Sequence, residues 1–421
     1  MRFTILAHGS RGDIQPYIAL GLGLQRAGHS VRLAAPALYQ DFITSYGLEF
    51  APLAGDPALL MRSAVEKSGR WPAPMRTARV VLKFVAPIAA ELYTDALTAC
   101  RDADAIIHSL LTTSLGHQIA ANLNIPDFSA LVFAFFAPTA AFPNPLFPPF
   151  RLGARYNLES HIRFNHVFWR GNRLAFDLIR RSHPEVPELV DWPFQNGSRR
   201  ATPLLYGFSR HVIPIPDEWG VDVHVTGYWF VDAPPAWRPE PGLLKFLEAG
   251  PPPVYIGFGS VISSRTSHLT RIALEALKRT GQRGILSTGW GGLEADALPS
   301  NVYPIRSAPF DWLFPRVAAA VHHGGMGTTA ASLRAGVPPV IVPFMADQPF
   351  WGRQIYQHGA GPAPIPHQLL TAKRLTDAIT TAIEDDSIRQ RCVELGMLIR
   401  AEDGVGRAVE VIEGYLARGR Q

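Results

Sequence analysis

Short apolar runs alternate with segments of helical periodicity through most of the chain, and this order predicts an α/β protein with parallel sheets. A strand predicted at 3–7 is followed by a helix at 14–27, which Gly28 ends, and by a strand at 31–35. This is the opening of a doubly wound sheet. Further strands are predicted at 104–108, 128–134, 204–208 and 223–227.

A second series of elements begins at residue 253, after a passage rich in proline and polar residues. We therefore predict two doubly wound domains, at 1–230 and 253–400, joined by a linker at 231–252. After residue 371, two amphipathic helices are expected to complete the chain. The predicted elements of the second domain are strands at 253–258, 284–288, 317–321 and 338–343 and helices at 269–279 and 328–335.

The sequence VHHGGMGTT at 321–329 places a buried strand, a glycine-rich turn and a helix start in immediate succession. Unpaired backbone N–H groups and the positive end of the helix dipole converge at such a turn, which makes it an anion site. A structural turn that uses glycine for its geometry alone is the alternative interpretation. As an anion site, it is expected to bind a diphosphate through His322, Gly324, Gly325, Gly327, Thr328 and Thr329.

The next predicted strand ends in a loop that carries Asp347 and Gln348, a carboxylate beside an amide. Ligands bind at the carboxyl ends of parallel strands, and this pair can hydrogen-bond to sugar hydroxyls. Ser260, after the strand at 253–258, is expected to reach the diphosphate from the other side. Ser307 and Ala308 offer backbone groups to a nucleotide base. Together these positions predict a nucleotide-sugar site.

The motif at 322–329, followed by Asp347 and Gln348, resembles the donor-binding signature of the UDP-sugar-dependent glycosyltransferases. Together with GSRGDIQP at 9–16, it is most similar to the bacterial and fungal sterol 3-beta-glucosyltransferases and the antibiotic-modifying glycosyltransferases. The resemblance implies a GT-B fold, with two Rossmann-like domains facing across a cleft and a last helix at 401–418 that packs back on the N-terminal domain. It also implies inverting transfer of a hexose from a UDP-sugar without a cofactor or a metal. Glucose is the expected sugar, and a deoxysugar on UDP or dTDP remains an alternative.

Asp13 is the candidate catalytic base, since it follows the first strand at a helix N-terminus. A carboxylate there can take the proton of an acceptor hydroxyl as its oxygen attacks the anomeric carbon. A simple helix cap is the alternative, because Asp is favoured at that position anyway. The resemblance favours catalysis, because GDIQP at 12–16 has the Asp form seen in the sterol and glycopeptide enzymes.

Aromatic residues crowd the passage from 128 to 150, where Phe133, Phe136 and Phe142 are expected to line an apolar acceptor pocket. Plain core packing is the alternative. His8, Arg11 and His108 lie near predicted strand ends and are expected to contact the acceptor. We therefore expect a lipophilic acceptor. The 3-hydroxyl of a sterol is the leading candidate, and a macrolide, glycopeptide, carotenoid or other natural product is the alternative.

Composition narrows the class of partner. The 421 residues carry a net charge of +5, which suits acidic ligands or an anionic membrane surface, and no recognisable nucleic-acid-binding module is present. Residues 151–183 hold seven arginines against two acids, together with several aromatic residues. They form either a membrane-contacting helical region or a solvated basic face.

Two cysteines far apart, Cys100 and Cys392, predict neither a disulfide framework nor a metal cluster. Asp102 and Asp104 precede a strand instead of ending one, so we expect a solvated turn there and not a metal site. No apolar stretch is long enough to span a bilayer. We therefore expect a cytoplasmic protein, with peripheral membrane contact as an option.

Two other classes of function stay open. One is a nucleotide-sugar-binding protein without turnover, which the presence of both Asp13 and the Asp347–Gln348 pair argues against. The other is an epimerase that acts on a UDP-N-acetylhexosamine. That enzyme would need further acidic groups around the anomeric carbon, and the apolar first domain fits a lipophilic acceptor better.

Overall fold

The computed structural model describes residues 1–56, 88–150, 152–182, 202–259, 266–288 and 298–418, with a few single positions between 184 and 194. These residues divide into two compact units. The first comprises Met1–Arg210, Pro214–Val231 and Asp403–Gln421, and the second comprises His211–Ile213 and Asp232–Glu402.

The first unit is built on a seven-stranded parallel sheet in the order β3-β2-β1-β4-β5-β6-β7. Its strands are β1 Arg2–Leu6, β2 Ser30–Pro36, β3 Glu49–Leu53, β4 Ala105–His108, β5 Asp127–Leu131, β6 Leu204–Tyr206 and β7 Val223–Val225. Its helices are α1 Arg11–Arg26, α2 Gln40–Thr44, α3 Ala89–Cys100, α4 Thr113–Leu123, α5 Gly153–Ser182 and the last helix of the chain, α13 Gly404–Arg418.

Strand β1 lies between β2 and β4, and its residues from Phe3 to Leu6 are buried. Phe3, Ile5 and Leu6 have no exposed surface. Leu6 belongs to a core cluster with Ile106 of β4 and with buried residues of α3 and α4. A strand buried on both faces needs helices on each side, which explains why strands and helices alternate along the chain.

The second unit contains a five-stranded parallel sheet in the order β10-β9-β8-β11-β12. Its strands are β8 Val254–Gly257, β9 Gly284–Ser287, β10 Val302–Ile305, β11 Ala319–His322 and β12 Pro339–Ile341. Its helices are α6 Pro241–Glu248, α7 Thr266–Thr280, α8 Phe310–Leu313, α9 Met326–Ala335, α10 Gln348–Gln357, α11 Ala372–Glu384 and α12 Asp386–Ala401. The prediction of two parallel α/β sheets is confirmed.

Two expectations about the connections are wrong. Residues 231–252 are not a linker throughout, because they include α6, which begins with Pro241 and buries Leu243 in the core of the second unit. Three helices follow residue 371 instead of two, because Asp385 ends α11 and caps α12 with its side chain.

The last helix, α13, belongs to the first unit and packs on α1. A side chain on Gly23 of α1 would overlap Val405 of α13, so the absence of a side chain permits the two helices to approach. At the other end of α13, Tyr415 packs edge-on against Phe128 of β5. Among the described residues, no helix has both the length and the apolar character needed to cross a bilayer.

Candidate active site

The carboxyl ends of three neighbouring strands of the second unit carry most of the predicted donor-binding residues. Strand β11 lies between β8 and β12, and all three run in the same direction. The loop after β8 holds Gly259, the loop after β11 holds His323 to Gly325, and the loop after β12 holds Asp347. Parallel strands therefore bring these loops to one edge of the sheet.

The turn after β11 depends on Gly324. Its φ of 89° lies in the left-handed region, and a Cβ there would come within 2.6 Å of Ile341 Cγ2. The Gly324 amide donates to His322 Nδ1 at 3.0 Å. This bond makes Nδ1 an acceptor and leaves the proton of the neutral ring on Nε2. Nε2 is buried and has no hydrogen-bond partner in the described part of the chain.

His322 has no exposed surface, and burial together with the neighbouring His323 lowers its pKa to about 3. A fully buried neutral ring at the end of a strand is poorly placed to contact a diphosphate. The structure therefore does not favour the expected role of His322 as a phosphate ligand.

His323 is better placed than His322 to contact a diphosphate, although the sequence pattern did not single it out. Its ring lies between the loop after β8 and the start of α9. A Cβ on Gly259 would come within 2.8 Å of its Cε1, and one on Gly325 within 2.5 Å of its Nε2. Burial lowers the pKa of His323 to about 4, and its Nδ1 has no partner among the residues that the structure describes.

Helix α9 begins without a side-chain cap at Gly325. Its first N–H groups therefore have no acceptor within the helix and remain available to an anion. The two threonines of this turn differ. Thr329 is buried and its hydroxyl donates to Gly325 O at 3.0 Å, whereas Thr328 and Gly327 are at least partly exposed. Thr328 is thus the partly exposed threonine of the pair.

Asp347 and Gln348 are held firmly at the start of α10. Gln348 Oε1 accepts the amide protons of Phe344 at 2.8 Å and Met345 at 3.0 Å. This fixes the side chain and leaves its amide N–H groups as donors. Asp347 Oδ2 accepts from Trp351 Nε1 at 2.7 Å. Both side chains are thus oriented before any ligand binds.

Three further residues are expected to contact the donor. Ser307 is exposed and Ala308 is half-buried in the loop between β10 and α8. Ser260 lies outside the described residues, so its expected contact with the diphosphate stays a prediction.

Asp13 of the first unit lies in the first turn of α1, directly after β1. Its Oδ2 accepts from the Ser10 amide at 2.7 Å and from Ser10 Oγ at 2.8 Å, so both hydrogen bonds fall on one oxygen. The carboxylate therefore belongs to a capping box, as the alternative interpretation expected, and its other oxygen is not used for this purpose. Capping and proton transfer are thus compatible roles.

The surroundings of Asp13 change its proton affinity in opposite directions. Burial raises its pKa, and the two hydrogen bonds from Ser10 lower it, with a net increase. Tyr17, one turn along α1, donates to Ala130 O at 2.6 Å. A carboxylate with a raised pKa is a better proton acceptor than an ordinary aspartate.

Two of the polar residues expected to contact the acceptor lie where β1 leads into α1. His8 is 95% buried and its Nε2 lies 3.2 Å from Ala54 O, while burial lowers its pKa. Arg11 is exposed and its guanidinium stacks 4.3 Å above the Phe42 ring. Arg11 is the more accessible of the two.

His108 is not available to an acceptor, which corrects the expectation for this residue. It is completely buried, and its Nε2 lies 3.0 Å from Asp127 Oδ2. The same oxygen lies 2.8 Å from His117 Nδ1 and accepts from Thr202 Oγ1 at 3.1 Å. Although burial alone would raise the pKa of Asp127, the bonds from both histidines hold it below its usual range. His108 therefore stabilises the fold.

The aromatic residues after β5 form a packed cluster. Phe136 is fully buried, with its ring centroid 4.9 Å from that of Trp192 and 5.0 Å from that of Phe194. Phe142 is buried beside His161 and Trp219. Core packing is thus the better description of these two, whereas Phe133 is partly exposed and stacks on Phe135 at 5.0 Å.

The described residues contain no cluster of histidine, cysteine or acidic side chains that could hold a metal. Asp102 lies in the turn before β4, where Arg32 Nη1 pairs with its Oδ1 at 2.7 Å. Arg2 Nε lies 3.1 Å from the other carboxylate oxygen, so both oxygens of Asp102 are paired with arginines.

Two family descriptions match separate parts of the chain. Residues 3–140 match the glycosyltransferase family 28 N-terminal domain. Residues 291–403 match the erythromycin biosynthesis protein CIII-like, C-terminal domain.

Curated relatives match nearly the whole chain. This chain is 37% identical over 437 residues to sterol 3-beta-glucosyltransferase UGT80A2 of Arabidopsis thaliana. The alignment covers 100% of this chain and 66% of that protein. For UGT80B1 of the same plant, the identity is 36% over 430 residues, 99% of this chain and 68% of that protein. A sterol 3-beta-glucosyltransferase of Emericella nidulans is 38% identical over 98% of this chain and 30% of its own length. The chain thus spans only part of each relative's length.

Solved structures share the fold. The glycotransferase of kitacinnamycin aligns with a TM-score of 0.71 and 20% identity over 98% of both chains. Glycosyltransferase VinC, solved in complex with dTDP, aligns with a TM-score of 0.65 and 20% identity over 99% of both chains. These likenesses confirm the predicted GT-B fold. Together with the identity to the plant and fungal proteins, they show that the chain belongs to the glycosyltransferase family that includes the sterol 3-beta-glucosyltransferases.

Proposed function

We propose that this protein is an inverting glycosyltransferase that moves glucose from UDP-glucose to the 3-hydroxyl of a sterol. The observation that carries the proposal is the uncapped start of α9 beside the half-buried ring of His323, at the edge where Asp347 and Gln348 also lie. A diphosphate and a sugar are the two ligand groups that this combination suits. The identity to relatives named sterol 3-beta-glucosyltransferases supports the acceptor.

In the proposed donor complex, the backbone N–H groups at Gly325 to Thr328 and the His323 ring meet the diphosphate. Asp347 and the Gln348 amide hydrogen-bond to glucose hydroxyls. As the bond from the anomeric carbon to the phosphate oxygen breaks, its electron pair passes to the diphosphate, where the helix dipole and hydrogen bonds stabilise the added charge. No step requires a metal, and a metal-free reaction is part of the proposal.

Asp13 takes the acceptor proton in this scheme. The sterol oxygen attacks the anomeric carbon from the face opposite the departing diphosphate, which inverts the configuration there. Its proton passes to Oδ1 of the Asp13 carboxylate. Ser10 holds the other oxygen and fixes the direction of the carboxylate. Arg11 and Phe133, both at least partly exposed, are the retained candidates for acceptor contact.

The test is a transfer assay read by mass spectrometry. Purified protein is incubated with UDP-glucose or dTDP-glucose, with a sterol or a macrolide, and with or without a chelator. We expect a hexose adduct on the sterol with UDP-glucose, unaffected by chelation and lost in Asp13→Asn, while UDP affinity stays the same. An adduct only on the macrolide, or only from dTDP-glucose, would support the antibiotic-modifying alternative. UDP binding without any adduct would favour the alternative of a nucleotide-sugar-binding protein without turnover.

We also propose a cellular setting. Cys100 and Cys392 are buried free thiols, which agrees with a cytoplasmic protein. Since a sterol acceptor resides in a bilayer, we propose peripheral contact with membranes.

A further inference from the structure

Large apolar side chains are exposed around the start of α5. Phe150 and Leu152 in the preceding segment are 57% and 66% exposed, and Ile162 on the helix is 47% exposed. Leu146 and Leu158 are exposed nearby. Exposed apolar side chains clustered in this way on a folded surface are typical of a site that contacts a membrane or another protein.

The exposed residues lie on the side of α5 that does not pack on the protein. Leu158 and Ile162 are one turn apart and therefore share a face. The neighbouring Ser160 and His161 are buried, and so is Ile179, which lies about five turns from His161 and therefore on the same face. The helix thus has one side in the core of the first unit and an apolar strip on its outer side.

Hydrogen bonds from α5 hold the surface in place. Asn157 Nδ2 donates to Ala140 O at 2.9 Å, and Asn165 Nδ2 donates to Phe136 O at 2.9 Å. Tyr156 Oη donates to Pro148 O at 2.6 Å, which ties the helix to the segment that carries Phe150. The apolar strip is therefore presented by a fixed framework.

The charge around this strip is positive. Arg155, Arg163, Arg170 and Arg173 are exposed along α5, and Arg163 and Arg170 are two turns apart. The acidic residues of the helix are Glu159, which lies 3.6 Å from Arg163, and Asp177. Exposed apolar groups flanked by arginines complement a bilayer with anionic headgroups, since the apolar groups enter the interface and the arginines meet phosphate.

We propose that the outer side of α5, residues 146–150 and Leu152 form a surface that binds lipid bilayers with anionic headgroups. The inference deepens the proposed function, because such a surface would bring the first unit to an acceptor dissolved in the bilayer. Binding itself requires neither donor nor acceptor, so it can be measured separately from glucose transfer.

The experiment is vesicle co-sedimentation of the full chain at 0.1 M salt, without UDP-glucose or sterol. Vesicles of phosphatidylcholine alone are compared with vesicles that also contain phosphatidylglycerol. The apolar variant is Leu152→Gln/Ile162→Gln and the charge variant is Arg163→Gln/Arg170→Gln. Matched controls outside the surface are Leu369→Gln/Met397→Gln, which changes exposed apolar residues, and Arg374→Gln/Arg389→Gln.

We expect binding to the anionic vesicles to exceed binding to the neutral ones and to fall at 0.5 M salt. The charge variant should bind about 25-fold more weakly, at roughly fivefold for each of its two arginines. The apolar variant should also bind more weakly, and both controls should bind normally. Equal binding to neutral and anionic vesicles, or unchanged binding in either surface variant, would overturn the proposal.

Transfer to a sterol delivered by cyclodextrin separates this proposal from the proposed function. The surface variants should retain that activity and lose activity only on sterol-containing vesicles. Vesicle binding without any transfer would leave the surface intact and refute the sterol reaction instead. Transfer to the sterol without vesicle binding would refute the membrane-binding surface and leave the proposed reaction intact.

Discussion

The ring of His323 lies directly against the backbone of Gly259, so that a Cβ on Gly259 would come within 2.8 Å of the ring atom Cε1. Gly259 has a φ of 64°, and its lack of a side chain allows the loop after β8 to approach the ring. The position of His323 beside the start of α9 therefore depends on a residue 64 positions earlier in the chain.

Gly259→Ala should displace His323 and weaken UDP binding by about tenfold, the loss expected for one hydrogen bond to a charged group. Calorimetric titration with UDP measures this. Gly281→Ala is the matched control, because Gly281 has a φ of 65° but a Cβ there would meet no atom within 4 Å. Both substitutions place a side chain on a residue with left-handed backbone and are strained for that reason. Only Gly259→Ala should also displace the His323 ring. Equal affinities in the two variants would contradict the role of Gly259.

His323→Ala should reduce UDP affinity by roughly ten- to a hundredfold, since it removes a donor to phosphate. His322→Ala should instead lower thermal stability, because it leaves a cavity and an unpaired Gly324 amide in a buried turn. Titration with UDP and a melting curve on each variant distinguish the two residues. If His322→Ala loses affinity while remaining as stable as the unmodified protein, the assignment must be reversed.

The sequence predicted the glycine turn, the strand before it and the helix after it, because these depend on local patterns. Which of the two adjacent histidines is fully buried and which is partly exposed was not predictable. Strand β11 is apolar on both faces, so alternation does not distinguish its inner side from its outer one. The cluster around Asp127 was also missed, because it joins residues from separate elements. By contrast, Pro241 followed by Leu243 and Phe246 was a readable signal for α6 within the predicted linker.

Acid should destabilise the second unit through His322. The pKa of this ring is about 3 in the folded protein, against 6.5 for an ordinary histidine. Between these values the unfolded chain binds more protons, so stability is lost as the pH falls below 6.5. The loss at pH 5 is about 2 kcal/mol from this residue alone. Urea unfolding at pH 7 and pH 5 measures it, and His322→Asn should show a smaller difference between the two.

Asp127→Ala should destabilise the first unit by roughly 3 kcal/mol or more, because a buried carboxylate and its hydrogen bonds to two histidines and a threonine are removed. Asp102→Ala is the comparison, since Asp102 pairs with Arg32 at the surface, where an ion pair contributes at most about 1 kcal/mol. Chemical denaturation of both variants measures the contrast. Similar losses in the two would show that the buried cluster has no special weight.

Ser10 should set the pH dependence of transfer through Asp13. Its amide and hydroxyl both donate to Asp13 Oδ2, and these bonds lower a pKa that burial raises. Ser10→Ala removes the hydroxyl bond, so the pKa of Asp13 should rise further. Because a base must be deprotonated to accept a proton, the acidic limb of the kcat profile should move to higher pH. The amide bond remains and should keep the carboxylate oriented, so kcat at high pH should fall much less than in Asp13→Asn. A profile of unchanged shape with a uniformly lower kcat would mean that Ser10 only supports the helix start, and that the proton goes to another group.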